Sequence, residues 1–353
     1  MRVETIDPVF DPRWDSYVLQ HPYGCVFHHS AWKDVLEKSF PQVRPRYFVA
    51  SDDDSGLRGV LPCVMVDSRL TGKRLVSLPF SLYCDPLTDS PETFHAMKEA
   101  VCDRYRMEKA RFVVFRVRFD PSRFQTGEFH DFVGYKNHTL SLEPDPEQLM
   151  LSFHRKSIQK HIHKAEMANL RITQAESEDD IKRFFAVNVR TRKKFGTPPQ
   201  PYAFFKNMWD ILAPRGMLMV HLAWYEAEPV GGLLCLKFKD RVHAEYIGVD
   251  ERFQSMSPNI LLFWRAILAA RQDGYRFFEF GGTVSSNEGL LTFKRHWGTV
   301  EEDIHHFFFP DVQGFSSGLS EGWRYRLFAQ TMKRMPDCIF VRIGERLYRH
   351  LGG

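Results

Sequence analysis

Several things this 353-residue sequence lacks already exclude whole classes of protein. Cysteine is sparse and scattered: Cys25, Cys63, Cys84, Cys102, Cys235 and Cys338 form no CxxC pair. Neither a disulfide framework nor a cysteine zinc site is expected, which points to a reducing, cytoplasmic setting. No apolar run reaches bilayer-spanning length, and the opening MRVETIDPVFDPRW lacks the apolar core of a secretion signal. Charge of one sign is not in excess either. A net charge of +4 suits anionic ligands but falls short of a dedicated nucleic-acid binder. The two G-x-S-x-G matches, GFSSG (314–318) and GLSEG (318–322), fall in a Gly/Ser-rich stretch and not between a strand and a helix, so neither reads as a nucleophile elbow; with no Cys–His nucleophile pattern either, this argues against covalent nucleophilic catalysis. His154, His161 and His163 are spaced i, i+7 and i+9, not the i, i+4 of a helical metal site, so no metal is expected.

What is present is ample apolar material. Hydrophobic residues make up 43% and aromatics 14%, enough for packed cores and too much for a disordered chain. The length suits two domains of ordinary size. Early in the chain, Ser30 is expected to cap a helix to Ser39 and Ser90-Pro91 to start one reaching about Lys109. Residues 47–67 read as a hairpin around the SDDDSG turn. Glu143-Pro144-Asp145-Pro146 breaks the chain and sets the expected boundary between domains 1–145 and 146–310. One helix is expected from Glu147 to Asn169, then helices 179–194 and 202–212 and a hairpin turning at Glu226–Glu228. Both halves share one order (helix, hairpin, strand, helix, strand), which suggests an internal duplication. A Gly/Ser linker after Pro310 leads to a basic, aromatic tail (311–353), expected to be helical.

The most informative stretch is Val230–Gly298. VHAEYIG (242–248) reads as a strand. Ser257-Pro258-Asn259 reads as a helix start with Ser257 as cap, and the helix closes at Gly274. Tyr275–Phe280 is a second strand, ended by Gly281-Gly282. A polar loop then leads to FKRHWG (293–298). A strand–helix–strand unit ending in paired glycines has a ligand crevice at its strand ends.

These pieces together resemble a known family. The matching segments are FHHSAW (27–32), GVLP (59–62), LVSLPF (75–80), Arg155-Lys156, FGTP (195–198), Pro258-Asn259, FEFG (278–281) and FKRHWG (293–298). They are similar in kind and order to Fem-type proteins, nearest the bacterial subgroup associated with polysaccharide and exosortase systems. The resemblance implies an α/β fold of two tandem GNAT-like acyltransferase domains. It also implies transfer of an acyl or aminoacyl group to an amine, with relatives acting on cell-wall precursors. Two departures bear on the donor. The helical-hairpin insertion of the tRNA-using ligases is missing, which argues against an aminoacyl-tRNA. An acyl-CoA is a candidate, yet Arg252–Ser257 holds no glycine where acetyltransferases cradle a pyrophosphate on backbone amides.

Amine attack on an ester or thioester needs a proton acceptor and donors for the developing oxyanion. Lys294, in the Phe-Lys motif, is the first candidate for the donor role, or for gripping a donor phosphate or carboxylate. Glu279 is a base candidate as a carboxylate on a covered strand, against the alternative of a salt bridge to Arg276 or Lys294. Glu245, beside Tyr246, is a second such candidate. Gly281 and Gly282 would let a ligand approach the backbone, and Asn259 and Trp297 complete the expected substrate site. Arg155 and Lys156 head a basic helix face that reads either as a solvated surface or as a site for phosphate, including that of a nucleotide- or lipid-linked sugar. The expected function is direct acyl transfer to an amino-sugar or cell-envelope precursor. The alternatives are an acyl-CoA-dependent N-acetyltransferase of a small amine and a non-catalytic binder of an anionic glycan or lipid precursor. The tail's seven Arg/Lys among aromatics read either as a terminal helix folded back to cover a domain or as a peripheral contact with anionic lipid at the inner membrane face.

Overall fold

The computed structural model describes residues 1–52, 56–68, 72–124, 127–310 and 323–350, without the side chains of 323–325. Along the chain the elements are β1 (Arg2–Ile6), α1 (Pro12–Gln20), α2 (Ser30–Ser39), β2 (Val43–Ser51), β3 (Leu57–Ser68), β4 (Gly72–Val76) and β5 (Leu87–Thr88). Next come α3 (Pro91–Met107), β6 (Phe112–Val117), β7 (His130–Ser141), α4 (Pro146–Ser152), α5 (Lys160–Met167), β8 (Arg171–Gln174), α6 (Glu178–Phe195) and α7 (Tyr202–Leu212). Then follow β9 (Leu218–Tyr225), β10 (Glu228–Phe238), β11 (Arg241–Val249), α8 (Pro258–Gln272), β12 (Phe277–Glu279), β13 (Thr283–Val284) and α9 (Glu288–Arg295). The last are β14 (Val300–Phe309), α10 (Trp323–Arg334) and α11 (Asp337–Tyr348). The centre of the SDDDSG turn and the Gly/Ser linker lie outside the described residues.

The chain divides into two compact units. The first is Met1–Tyr135 with the described parts of Asp303–Ser320 and Arg346–Gly353; the second is Lys136–Glu302 with the described part of Glu321–Glu345. The change of unit therefore falls inside β7, ahead of the Pro144–Pro146 break. A proline turn interrupts the backbone locally, whereas a strand belongs with whatever pairs to it.

In the first unit the strand order is β1-β2-β3-β4-β6-β14, antiparallel except for the parallel pair β4 and β6. Leu61, Phe94, Met97 and Phe115 meet in its core. Ser90 caps α3 as expected, accepting from Thr93 N at 3.1 Å. For α2 the cap is His29, whose Nδ1 accepts from Ala31 N at 3.1 Å. Ser30 was the wrong expectation because Asp15 takes both its N–H and its hydroxyl.

The second unit is organised on β12-β11-β10-β9-β8, with Thr139–Ser141 of β7 antiparallel to β12. Adjacent glycines on β10 show which helix covers which face. A Cβ on Gly231 would meet Leu262 of α8 at 3.0 Å, and one on Gly232 would meet Phe184 of α6 at 2.7 Å. Successive strand residues point to opposite faces, so α8 and α6 lie on opposite sides of the sheet. This explains why α8 is apolar on most faces: its inner side meets the sheet while α5 covers another.

Three local expectations change. The single helix over 147–169 is broken at Phe153-His154. Phe153 buries its ring against Trp264 and Trp297, and His154 N donates to His296 O at 2.8 Å, so the backbone leaves the helix there. Ser257 adopts a left-handed φ of 61° and makes no side-chain cap; its hydroxyl pairs with His161 Nδ1 at 2.7 Å. The stretch before FKRHWG is helical in α9, capped by Asn287, whose Oδ1 accepts from Leu290 N.

Candidate active site

The parallel pairing of β11 with β12 lasts only three residues, Arg241–His243 against Phe277–Glu279. Beyond it the chain turns away: Phe280 N donates to His138 O at 2.9 Å, and Gly281 takes a φ of +70°. The upper half of β11 is left without a neighbour on that side. A cavity of about 650 Å³ fills the gap. Its walls are Ala244–Ile247 of β11, Phe280–Gly282, Asn259 and Phe263 of α8, Leu290, Phe293 and Lys294 of α9, and the C-terminal turn of α6 with Lys194 and Phe195.

Two titratable groups face each other's field in this mostly apolar wall. Glu245 is half-buried, with its remaining surface on the cavity. Loss of water raises its pKa to about 7; His243 and Lys294 oppose the rise and Glu279 adds to it. Lys294 is almost fully buried. Burial pulls its pKa down to about 7, with Glu245 pulling the other way. Its Nζ donates to Gly281 O at 2.6 Å and Gly282 O at 3.3 Å. A lysine ammonium has three donors, so two are spent on the glycine carbonyls and one remains for the cavity.

The other expected site residues fall into three groups. Tyr246, Asn259, Gly281 and Gly282 line the cavity with Glu245 and Lys294. Tyr246 stands edge-on to Phe205 at 5.2 Å, which holds its ring in place. Gly281 is required at its position: besides its positive φ, a Cβ there would lie 2.8 Å from Ala244 O. Glu279 and Trp297 are buried and do not line the cavity. Glu279 is 1% exposed and tied to Arg241 Nη1 at 2.8 Å and His243 Nδ1 at 3.0 Å, while Arg276 pairs with Glu143 and Lys294 with the glycine carbonyls. Trp297 packs against Phe153 at 5.0 Å and Phe280 at 5.4 Å. Arg155 and Lys156 are exposed in a short π-helical turn and do not line the cavity.

Lys194, Phe195, Phe263 and Phe293 are wall residues that were not among the expected site residues. Phe195 and Phe293 do open the FGTP and FKRHWG segments, which was the signal available for them. One Cys–His contact exists after all, in the first unit: Cys25 Sγ lies 3.0 Å from His28 Nδ1, both buried. Burial there suits packing, not nucleophilic attack.

The glycine-free segment before α8 is already closed on itself. Asp250 Oδ1 accepts from Arg252 N at 3.1 Å, Phe253 N donates to Asp250 O, and Ser257 N donates to Gln254 O. Those amides offer no open cradle for a pyrophosphate. Cations stand nearby instead. A second cavity of about 480 Å³ shares Lys194 and Val249 with the first and is bordered by Arg190, Lys193, Arg252 and Lys333, with Asp250, Glu251 and Asp337 among them. Among the described residues, no group of three or more His, Cys, Asp or Glu could hold a metal ion, and no helix is long and apolar enough to cross a membrane.

The family model of the acetyltransferase (GNAT) domain matches residues 152–295, the segment that builds this cavity. No curated protein matches the chain in sequence. Among solved structures, FemX superposes with a TM-score of 0.71 over 95% of this chain and 100% of that chain, at 15% identity. L-PGS from Bacillus licheniformis gives 0.60 over 94% and 99%, at 12% identity. A tandem GNAT protein from the clavulanic acid biosynthesis pathway gives 0.59 over 87% and 97%, at 10% identity. At such identities the likeness is one of fold, and it establishes two GNAT-like domains in tandem.

Proposed function

We propose, for a chain that is a GNAT-superfamily N-acyltransferase with the tandem fold of Fem-type proteins, direct transfer of an acyl or aminoacyl group to the amine of an amino-sugar or cell-envelope precursor. One observation carries this reading. Glu245 and Lys294 stand together in the wall of the cavity opened where β11 and β12 part. Glu245, poised near neutrality, takes a proton from the acceptor ammonium. The freed nitrogen lone pair attacks the carbonyl carbon of the donor ester or thioester. The remaining donor of Lys294 meets the charge that develops on the carbonyl oxygen. The bond to the leaving oxygen or sulphur then breaks, and the leaving group takes up a proton. The products are an amide, the free alcohol or thiol and one net proton from the ammonium. No covalent intermediate with the protein is needed, and the cavity supplies positioning.

The donor's chemistry is read from the neighbouring cavity. A phosphate-bearing donor such as an acyl-CoA would place its acyl arm in the apolar cavity and its phosphates beside Arg190, Lys193 and Lys333. FemX and L-PGS are the relatives in fold that favour an envelope acceptor over a small free amine. The deciding assay is thiol release from acyl-CoA, run against a panel of amino sugars and lipid-linked amines with wild type, Glu245→Gln and Lys294→Ala. Turnover lost in both variants supports the reading. Ligand binding without turnover on any donor, unchanged in Lys294→Ala, would leave a non-catalytic binding protein.

A further inference from the structure

The tail helices seat one face on the second unit and turn another to solvent. Met332 of α10 and Phe340 of α11 are buried with Val189 of α6. The fit is close, since a Cβ on Gly196 would lie 2.3 Å from Ala329 O and one on Gly344 would lie 2.2 Å from Pro199 O. On the outward side, helical spacing lines residues up in stripes. Leu327, Thr331 and Arg334 form one (i, i+4, i+7), and Arg326, Gln330 and Lys333 the next, all exposed. On α11, Ile339 and Arg342 stand together at i, i+3.

Large apolar side chains thus face water among cations: Leu327 is 57% exposed, Ile339 44% and Phe328 37%. Among the described side chains of the two helices within this unit, the exposed charges are Arg326, Lys333, Arg334 and Arg342 against Asp337, and Asp337 is already held by Lys193 at 2.5 Å. The patch also adjoins the reacting centre. Gly196 abuts α10 at Ala329, and its chain neighbour Phe195, 63% exposed, lines the catalytic cavity.

We infer that this outward face of α10 and α11 is a docking surface for an anionic lipid bilayer, placed so that the cavity mouth at Phe195 opens toward the membrane. Interleaved cations and bulky apolar groups match a headgroup layer, where the cations meet phosphates and the apolar tips enter the acyl boundary. A nucleic acid would use the cations but leave Leu327 and Ile339 in water. The acceptor class follows: an amine carried on the headgroup of a membrane-embedded lipid, reached without leaving the bilayer. That last step rests on the acyl-transfer reading, whereas the docking surface does not.

The test is co-sedimentation of the full-length protein with vesicles of phosphatidylcholine alone or mixed with phosphatidylglycerol, at low and high salt. An environment-sensitive fluorophore on Cys338, which is exposed while the other five cysteines are buried, reports insertion. Expected are binding to the anionic vesicles only, weakening with salt, and a loss of about tenfold or more in both R326E/R334E and L327E/I339E. Absence of binding, binding unchanged in both variants, or RNA binding without vesicle binding would overturn the surface. Turnover of a water-soluble amine should be equal in wild type and both variants. If that turnover holds while vesicle binding fails, the surface falls and the acyl-transfer reading stands. Vesicle binding without turnover on any acceptor gives the reverse.

Discussion

Glu245→Gln is the substitution that most directly separates the proposed chemistry from packing. The replacement keeps size and hydrogen-bonding capacity while removing both the base and the buried charge. On activity, loss of a positioned base costs about 10²–10⁴-fold in kcat/KM. The wild-type profile should be bell-shaped, with a rising limb from Glu245 and a falling limb from Lys294, both of which burial brings near pH 7, and the rising limb should vanish in the variant. On stability the sign is opposite. Because the folded pKa lies above the ordinary 4.5, the carboxyl favours the folded state below about pH 4.5, and that contribution is lost as pH rises to about 7. Above pH 7 wild type therefore carries the cost of a desolvated carboxylate. A rise from 4.5 to about 7 corresponds to about 3 kcal/mol at most, less because part of the side chain faces water in the cavity. Losing the carboxylate's pull on Lys294 trims the gain further. Glu245→Gln should thus match wild type in Tm at pH 4 and exceed it by several degrees at pH 8.5. Thermal unfolding at the two pH values and a kcat/KM–pH profile suffice. A rising limb near pH 7 that persists in the variant, or a pH-independent loss of stability, would refute the assignment.

Three further outcomes are expected. Lys294→Ala should lower turnover at least about tenfold with the fold intact by circular dichroism, since it removes one oxyanion donor; unchanged turnover removes Lys294 from the mechanism. Gly281→Ala should cost about 1–3 kcal/mol through the positive φ and the 2.8 Å approach to Ala244 O, and should lower turnover by shifting the carbonyl that holds Lys294. Glu279→Gln should destabilise by about 3–5 kcal/mol in chemical denaturation, because Arg241 loses its buried counter-charge and His243 Nδ1 its carboxylate partner. Lost turnover with undiminished stability would instead place Glu279 in the reaction.

Local signals were read well where the cause was local. Helix α7 has the expected bounds, Tyr202–Leu212, and Ser90-Pro91 opens α3 with the hydroxyl on Thr93 N. Such signals mislead where a distant partner competes. Asp15 takes Ser30 out of the cap, His161 does the same to Ser257, and the aromatic cluster around Trp297 pulls Phe153 out of a helix.

The sequence alone determined the tandem mixed α/β plan and the stretch that carries the cavity, because hydrophobic period, caps and glycine stops act over a few residues. It also brought forward Lys294, Glu245, Tyr246, Asn259, Gly281 and Gly282, which all line that cavity. That one candidate carboxylate lines the cavity and the other does not is visible only in the tertiary structure. Glu279 and Glu245 both sit on sheet strands beside an aromatic residue, Phe278 or Phe280 for one and Tyr246 for the other, and the local sequence gives both the same reading. The difference is that β12 stops pairing with β11 after His243. Glu279 stays inside the paired region against Arg241 and His243, and Glu245, two residues past the last pair, faces the gap.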